Sequence, residues 1–283
     1  MADRNIVLKP GLYVTATPIG NLGDITYRAV EAMKAADEIL CEDTRTTATL
    51  CKAYNISTPR RAYQDHNGHA VRPAIIEQLQ AGATFCLVSD AGTPLISDPG
   101  FKLVRDARAA GIDVYPLPGA SAAIAALSAA GAPSDQFFFA GFIPAKQAAR
   151  KRAFEALAQI PATLICYENG RRLAATLCDM HEAFGDRDAC VAREITKFYE
   201  EFKVAPLATL AIDIAETPIK GEIVVLVWPA PELPTSQADL DAFLVDILKD
   251  KRVSEAADAA AQTLGVKRRD AYTRALALKK RTD

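Results

Sequence analysis

The chain has 283 residues and a formal charge of −2; half of its residues are hydrophobic and 24% are charged. This is ordinary globular usage and excludes a disordered, collagen-like or low-complexity protein. It leaves room for two domains or one large one, at about 100–200 residues each.

Strand-like and helix-like runs alternate from the start. Leu12 to Thr17 reads as a buried strand, and Asp24 is placed to cap a helix running to about Ala36. Glu38 to Cys41 reads as a short strand before a helix from about Thr46 to Tyr54. Val71 to Ala81 reads as a helix stopped by Gly82, and Phe85 to Val88 as a strand. Phe101 to Ala110 reads as a helix before a strand at Val114 to Leu117. This βαβα rhythm predicts a largely parallel sheet with helices on both faces. The Pro- and Gly-bearing segment from Pro116 to Ser121 breaks the rhythm and reads as a hinge.

A second alternating set follows. Its expected strands are Phe137–Ala140, Thr163–Tyr167, Ala189–Arg193 and Glu222–Val227; its expected helices are Ala145–Gln159, Arg171–Phe184 and Leu207–Ala215. Pro229, Pro231 and Pro234 read as a stiff linker. Three helical pieces end the chain, at Gln237–Leu248, Val253–Leu264 and Lys267–Leu278, with Gly265 between the last two. The expected organisation is an α/β domain over residues 1–117, a second over 118–232 and a helical tail over 237–283. From Lys249 to Asp283 the chain carries ten Lys and Arg against five Asp and Glu, so a basic tail follows an acidic body.

The six cysteines form no Cys-x-x-Cys pair and mostly sit in apolar runs. They point to a reducing cytoplasm without a disulfide framework or a cysteine metal site. The N-terminus leads into no long apolar segment, and no run approaches about 18 apolar residues, so neither a secretory signal nor a membrane span is expected. His66 and His69 beside Asp65 form a His-x-x-His, but no helix pattern or third ligand accompanies them. They read as a polar loop cluster, and no metal is expected.

Four groups carry the chemical signal. Thr17 to Asp24 joins a buried strand to a helix, and its Gly20 and Gly23 admit close backbone approach. It is not the Gly-x-Gly-x-x-Gly dinucleotide fingerprint. Glu42-Asp-Thr-Arg45 ends the next strand, where open α/β sheets gather ligands. Its residues either orient a substrate or accept a proton, or Asp43 merely caps the following helix while Arg45 neutralises the acids. The richest segment is Val88 to Gly100, which holds Asp90, Ala91, Gly92, Thr93, Pro94, Ile96 and Asp98. Two Gly and two Asp, with Pro94 and Pro99, exceed what a turn requires and describe a rigid ligand loop. The fourth group lies at later strand ends: Tyr167-Glu168, Ala192 to Lys197, and Lys220-Gly221. In the tail, Lys267, Arg268, Arg269 and Arg274 fall on or near a helix after a short Gly turn. That arrangement resembles a helix-turn-helix that meets nucleic acid.

Taken in order, Leu12 to Ile25, Glu42 to Arg45, His66-Asn67, Ser89 to Pro94, Pro118 to Ala122, Ala192 to Lys197 and Lys220 to Glu222 resemble one family. It is the ribosomal RNA small-subunit methyltransferase I family, a bacterial branch of the tetrapyrrole methylase superfamily. Pro118-Gly-Ala-Ser121 departs from the expected Pro-Gly-Pro. The resemblance implies two α/β domains with a cleft between them, a homodimer, and S-adenosylmethionine as methyl donor. The implied product is a 2′-O-methylated cytidine in the decoding region of 16S ribosomal RNA, within the small ribosomal subunit. The donor is then expected between the domains, held by Asp90–Asp98, Ser121, Ala122, Tyr167, Glu168, Arg193, Lys220 and Gly221. Asp43 and Glu194 are the candidates for a general base, unless positioning alone suffices. Arg45, Lys197, Lys267, Arg268 and Arg269 are candidates for RNA contact. The rivals are methylation of a small tetrapyrrole, which leaves the basic tail without a purpose, and a non-enzymatic nucleic-acid-binding protein, which leaves the Asp90–Gly100 loop unexplained.

Overall fold

The computed structural model describes residues 7–230, 237–249 and 251–279. The residues up to Ala230 form one compact unit and those after it a second. The boundary expected after residue 117 divides the first unit where one sheet gives way to another.

The first sheet holds β1 (Gly11–Thr15), β2 (Glu38–Cys41), β3 (Arg60–Ala62), β4 (Thr84–Val88) and β5 (Val114–Leu117), in the order β3-β2-β4-β1-β5. Every pairing is parallel, as the rhythm predicts. Its helices are α1 (Tyr27–Ala35), α2 (Thr44–Ala53), α3 (Asp65–Gln80) and α4 (Phe101–Ala109). From β1 the chain crosses outward to β2, whereas from β4 it crosses the other way to β5. Right-handed crossovers in opposite directions lie on opposite faces. Accordingly Met33 of α1 and Leu50 of α2 join one core cluster, while Ile75 of α3 and Leu103 of α4 join another. Between the C-terminal ends of the adjacent β1 and β4 the two crossovers diverge and leave a crevice, the usual ligand position in such sheets.

The second sheet, in the order β6-β7-β10-β8-β9, is mostly antiparallel although its elements alternate like those of the first. It comprises β6 (Phe137–Phe142), β7 (Thr163–Asn169), β8 (Asp188–Arg193), β9 (Glu201–Pro206) and β10 (Glu222–Val227). Only β6 and β7 run parallel; the other pairings are antiparallel. The reason is local. No helix separates β8 from β9, and a short connection can only return the chain antiparallel. α5 (Ala122–Ala129) packs on one face through Ala123 and Ala126. α6 (Gln147–Leu157), α7 (Leu173–Phe184) and α8 (Leu207–Glu216) cover the other with Phe154, Leu177 and Leu210.

Several boundaries differ from expectation. Thr26 caps α1, its hydroxyl accepting from the Ala29 N–H, and Asp24 instead accepts from the distant Thr196 hydroxyl at 2.5 Å. α3 starts earlier than its apolar run and passes through Pro73, so His69 lies on a helix and not in a loop. The His66 and Asn67 side chains lie outside the described residues, as do Pro231 and Pro234 of the expected linker.

The tail packs α9 (Gln237–Ile247), α10 (Val253–Leu264) and α11 (Arg268–Lys279) around Leu244, Ala256, Ala260, Ala271 and Ala275. Small side chains let α10 and α11 approach closely. Gly265 ends α10 with φ +67°, a left-handed cap that favours glycine. Among the described residues, no helix is long and apolar enough to cross a membrane.

Candidate functional site at the converging strand ends

The loop from Ser89 to Gly100 leaves β4 at the crevice and is clipped to the loop after β1. Thr17 N–H donates to the Gly92 carbonyl at 2.8 Å, and Gly92 N–H returns the bond to the Thr17 carbonyl at 3.1 Å. The buried Thr17 hydroxyl donates to the Ser89 carbonyl at 3.1 Å. The Thr93 hydroxyl donates to the Ala120 carbonyl at 3.0 Å, which ties the loop to the segment entering α5. Leu95 and Ser97 have φ of +73° and +67°, conformations rare outside glycine. Such strain is retained where surrounding structure imposes it, and it clusters at ligand sites.

This loop and the ends of β7 and β10 enclose a cavity of about 360 Å³. Asp90, Ala91, Gly92, Thr93, Ile96, Asp98, Ser121, Ala122, Tyr167 and Glu168 all line it, so one site gathers most of the residues expected to bind the donor. Ser97, within the expected span, lines it too; sequence reasoning does not find Ile19, Phe142, Asn169, Ile195 and the β10 residues Glu222, Ile223 and Val224, which also line it. Ile19 and Ile195 sit inside two of the strand-end motifs, where the flanking charged and small residues carry the stronger signal. The β10 residues read as core strand.

Pro94, Arg193, Lys220 and Gly221 do not line the cavity. Arg193 Nε donates to the Lys220 carbonyl at 2.9 Å. A side chain at Gly221 would meet the Glu194 carboxylate at 2.6 Å, so this glycine makes room for Glu194. Glu168 touches the cavity with its carboxylate already engaged. It is 3% exposed and accepts from Asn169 N–H at 2.7 Å, Arg172 Nε at 2.8 Å and Thr176 Oγ1 at 2.7 Å.

Neither base candidate lines the cavity. Asp43 caps α2, accepting from Arg45 N–H at 2.8 Å and Arg45 Nη2 at 2.7 Å. These hydrogen bonds from Arg45 hold its carboxyl at about 2. Arg45 is thereby paired, though 90% exposed. Glu194 accepts from Glu222 N–H at 2.9 Å and Lys197 Nζ at 3.2 Å, and the backbone bond above all lowers its pKa. Lys197 also binds Glu222 at 2.7 Å, and its stem crosses Gly20, where a Cβ would meet it at 2.5 Å.

Asp98 is the exception among these acids. Burial first, and then the nearby Glu42 charge, push its carboxyl up to about 6. With Asp90, Glu168 and Glu222, the cavity has four carboxylates, and no Lys, Arg or His stands among the described residues that line it. The lining suits a cation beside aromatic surface, supplied by Tyr167 and Phe142 with ring centroids 5.3 Å apart. A pKa raised on folding stabilises the fold fully below the unfolded value near 3.8, and that stability is lost as pH rises through about 6. Asp98→Asn should therefore stabilise the protein at about pH 8 by about 1 kcal/mol, well below the full equivalent of the shift because solvent reaches the site. Urea unfolding at about pH 8 and about pH 4 checks this; equal stability changes at both would contradict it.

Residues 11–211 match the family model for Tetrapyrrole (Corrin/Porphyrin) Methylases, and residues 234–279 match the RsmI C-terminal HTH domain. The chain is 48% identical over 275 residues to a Ribosomal RNA small subunit methyltransferase I from Mesorhizobium japonicum, covering 96% of this chain and 93% of that relative. It is 45% identical over 271 residues to the protein of that name from Pseudomonas aeruginosa, covering 94% and 96%. Among solved structures, diphthine synthase superposes with a TM-score of 0.60 at 16% identity over 77% of this chain and 89% of that one. A Thermus thermophilus uroporphyrin-III C-methyltransferase, solved in complex with S-adenosyl homocysteine, gives 0.53 at 16% over 77% and 97%. The chain belongs to the tetrapyrrole methylase family and, within it, to the ribosomal RNA small subunit methyltransferase I family.

Proposed function

We propose that this protein transfers a methyl group from S-adenosylmethionine to the ribose 2′-oxygen of a cytidine in the decoding region of 16S ribosomal RNA, within the small ribosomal subunit. Membership of the family, at 48% identity over nearly the whole chain, carries this reading. The strand-end cavity supports the donor half of it, because the Asp90 and Asp98 carboxylates in its lining complement a sulfonium. The setting is the bacterial cytoplasm, where small subunits are found. The working unit in this reading is a homodimer, in keeping with exposed Phe137 and Phe138 on the edge strand β6.

When bound, the donor supplies an electrophilic methyl group on a positively charged sulfur. The Asp90–Asp98 backbone fixes its place, and the Asp90 and Asp98 carboxylates balance its charge. Tyr167 is itself held, its hydroxyl accepting from Ala123 N–H at 3.2 Å. Transfer would form the bond from ribose oxygen to methyl carbon as the carbon–sulfur bond breaks, with the hydroxyl proton leaving to solvent. Asp43, held at about 2, binds protons too weakly to serve well as an acceptor, since an efficient base titrates near the working pH, and Glu194 is shifted in the same direction. Alignment of the two reactants, worth about 7–11 kcal/mol, then carries the rate.

The basic tail is read as the RNA-docking element. Its cations are unequal: Arg268 is paired closely with Asp258, whereas Lys267 is exposed and Arg269, 94% exposed, reaches Asp270 only at 3.9 Å. Changing Lys267 and Arg269 together to Ala should weaken small-subunit binding. It should also lower the log–log salt slope by roughly 0.7–0.9 for each phosphate that is no longer neutralised, with donor affinity unchanged. Parent-like subunit binding at every salt concentration would make the tail a structural cap.

A further inference from the structure

A second cavity, of about 420 Å³, adjoins the first. Ile19, Asp90, Ala91 and Glu222 line both, so the two spaces share a wall. We infer that this second cavity receives the acceptor nucleotide, with its ribose against the shared wall. The inference deepens the RNA methyl-transfer reading and rests on it.

Size and lining both fit. The volume lies within the range of roughly 300–1,000 Å³ usual for small-ligand sites. Away from the shared wall the surface changes character. Leu22 offers apolar surface, 45% exposed, against which a base can lie. Thr46 and Thr49 in α2 offer hydroxyls to a base edge, and both side chains reach solvent. Lys197 stands at the rim, and its ammonium uses two of its three donors on Glu194 and Glu222. The remaining donor is suited to a phosphate oxygen. An apolar face, a polar edge and one cation match the three parts of a nucleotide, while Asp98 and Glu168 line the donor cavity alone.

The shared wall also sets where the reactants meet. Asp90 stands on it with its carboxylate fixed, accepting from Asp43 N–H at 3.0 Å. A methyl group on one side and a ribose hydroxyl on the other would face each other beside this residue. The role of Glu42-Asp-Thr-Arg45 follows: Asp43 starts α2 and sets the direction of its first two turns, which carry Thr46 and Thr49 along the acceptor space.

Filling the space is the direct test. Thr46→Trp and Leu22→Trp, made separately, place bulk on the acceptor cavity's own walls without touching the donor cavity. Each is assayed for fold by circular dichroism, for donor affinity by calorimetry, and for methyl transfer to small subunits. Donor affinity should be retained, while kcat/KM for transfer should fall by about 10²-fold, the cost of a misplacement on the order of 1 Å. Thr46→Val, which keeps the shape and removes the hydroxyl, guards against misfolding and should raise KM with kcat retained. Parent-like kcat/KM in all three variants, or lost donor affinity in the Trp variants, would overturn the inference. A parent protein that transfers no methyl to any RNA would instead overturn the reading on which the inference rests.

Discussion

Gly92→Val should lower donor affinity by about 10²-fold or more while leaving the fold intact. Gly92 has φ +82°, and a Cβ there would stand 3.3 Å from Ile19 Cγ2 and 3.6 Å from the Ala120 carbonyl oxygen. The fit is tight, but the backbone is decisive. A β-branched residue at positive φ costs about 1–3 kcal/mol, and the loop escapes that cost by moving. Movement breaks the paired hydrogen bonds between Gly92 and Thr17 and shifts both Asp90 and Asp98. Calorimetric titration with the donor measures the loss, and circular dichroism checks the fold. An unchanged affinity would place the donor elsewhere.

Arg150→Leu should destabilise the body by about 3–5 kcal/mol, the usual cost of removing one partner from a buried ion pair. Arg150 and Asp179 side chains are 5% and 4% exposed, with Nη2 and Oδ2 2.5 Å apart. Without the guanidinium, the Asp179 carboxylate keeps, among the described residues, Gln147 Nε2 at 3.2 Å and the more distant Lys151 at 4.0 Å. Asp179→Leu added to Arg150→Leu removes the stranded charge and should recover much of the loss. Urea unfolding of the parent and the two variants measures both effects. A single variant within about 1 kcal/mol of the parent would show that water reaches the pair.

The two predictions rest on features of different visibility in the sequence. Gly92 stands out because Gly and Pro in an Asp-bearing loop after a buried strand carry a local signal. The parallel sheet is legible for the same reason: Phe85 to Val88 and Leu12 to Thr15 are apolar runs, as strands buried on both faces must be. Arg150 and Asp179 give no such signal, because an ion pair across 29 positions depends on how α6 packs on α7. β3 and β9 escape sequence reasoning for a related reason. Arg60–Ala62 is three residues long, and Glu201–Pro206 is a half-exposed edge strand with Val204 55% exposed. Neither shows an apolar run. α5 is hidden by its composition, since Ala122–Ala129 is apolar on all sides and follows a Pro-Gly segment that reads as a hinge.

At the site, the strand-end motifs bring their residues to one place, but not every role. Asp43 and Glu194 stand at strand ends, as expected, and are engaged in capping and ion pairing. Their partners, Arg45 and Lys197, are visible in the sequence as neighbours, but which group they serve depends on folded geometry. Asp98 shows the reverse. Its raised pKa comes from burial and from the Glu42 charge, and no local pattern reveals either.

The most direct test incubates the purified protein with S-adenosylmethionine labelled in its methyl group and with small ribosomal subunits whose 16S RNA lacks the modification. The RNA is then digested to nucleosides and the labelled product identified by mass spectrometry. The account predicts label in one 2′-O-methylcytidine of the decoding region, and far less of it when Gly92→Val replaces the parent at the same donor concentration. Label on a base, label confined to a tetrapyrrole offered in parallel, or no transfer by a parent that binds the donor would contradict it.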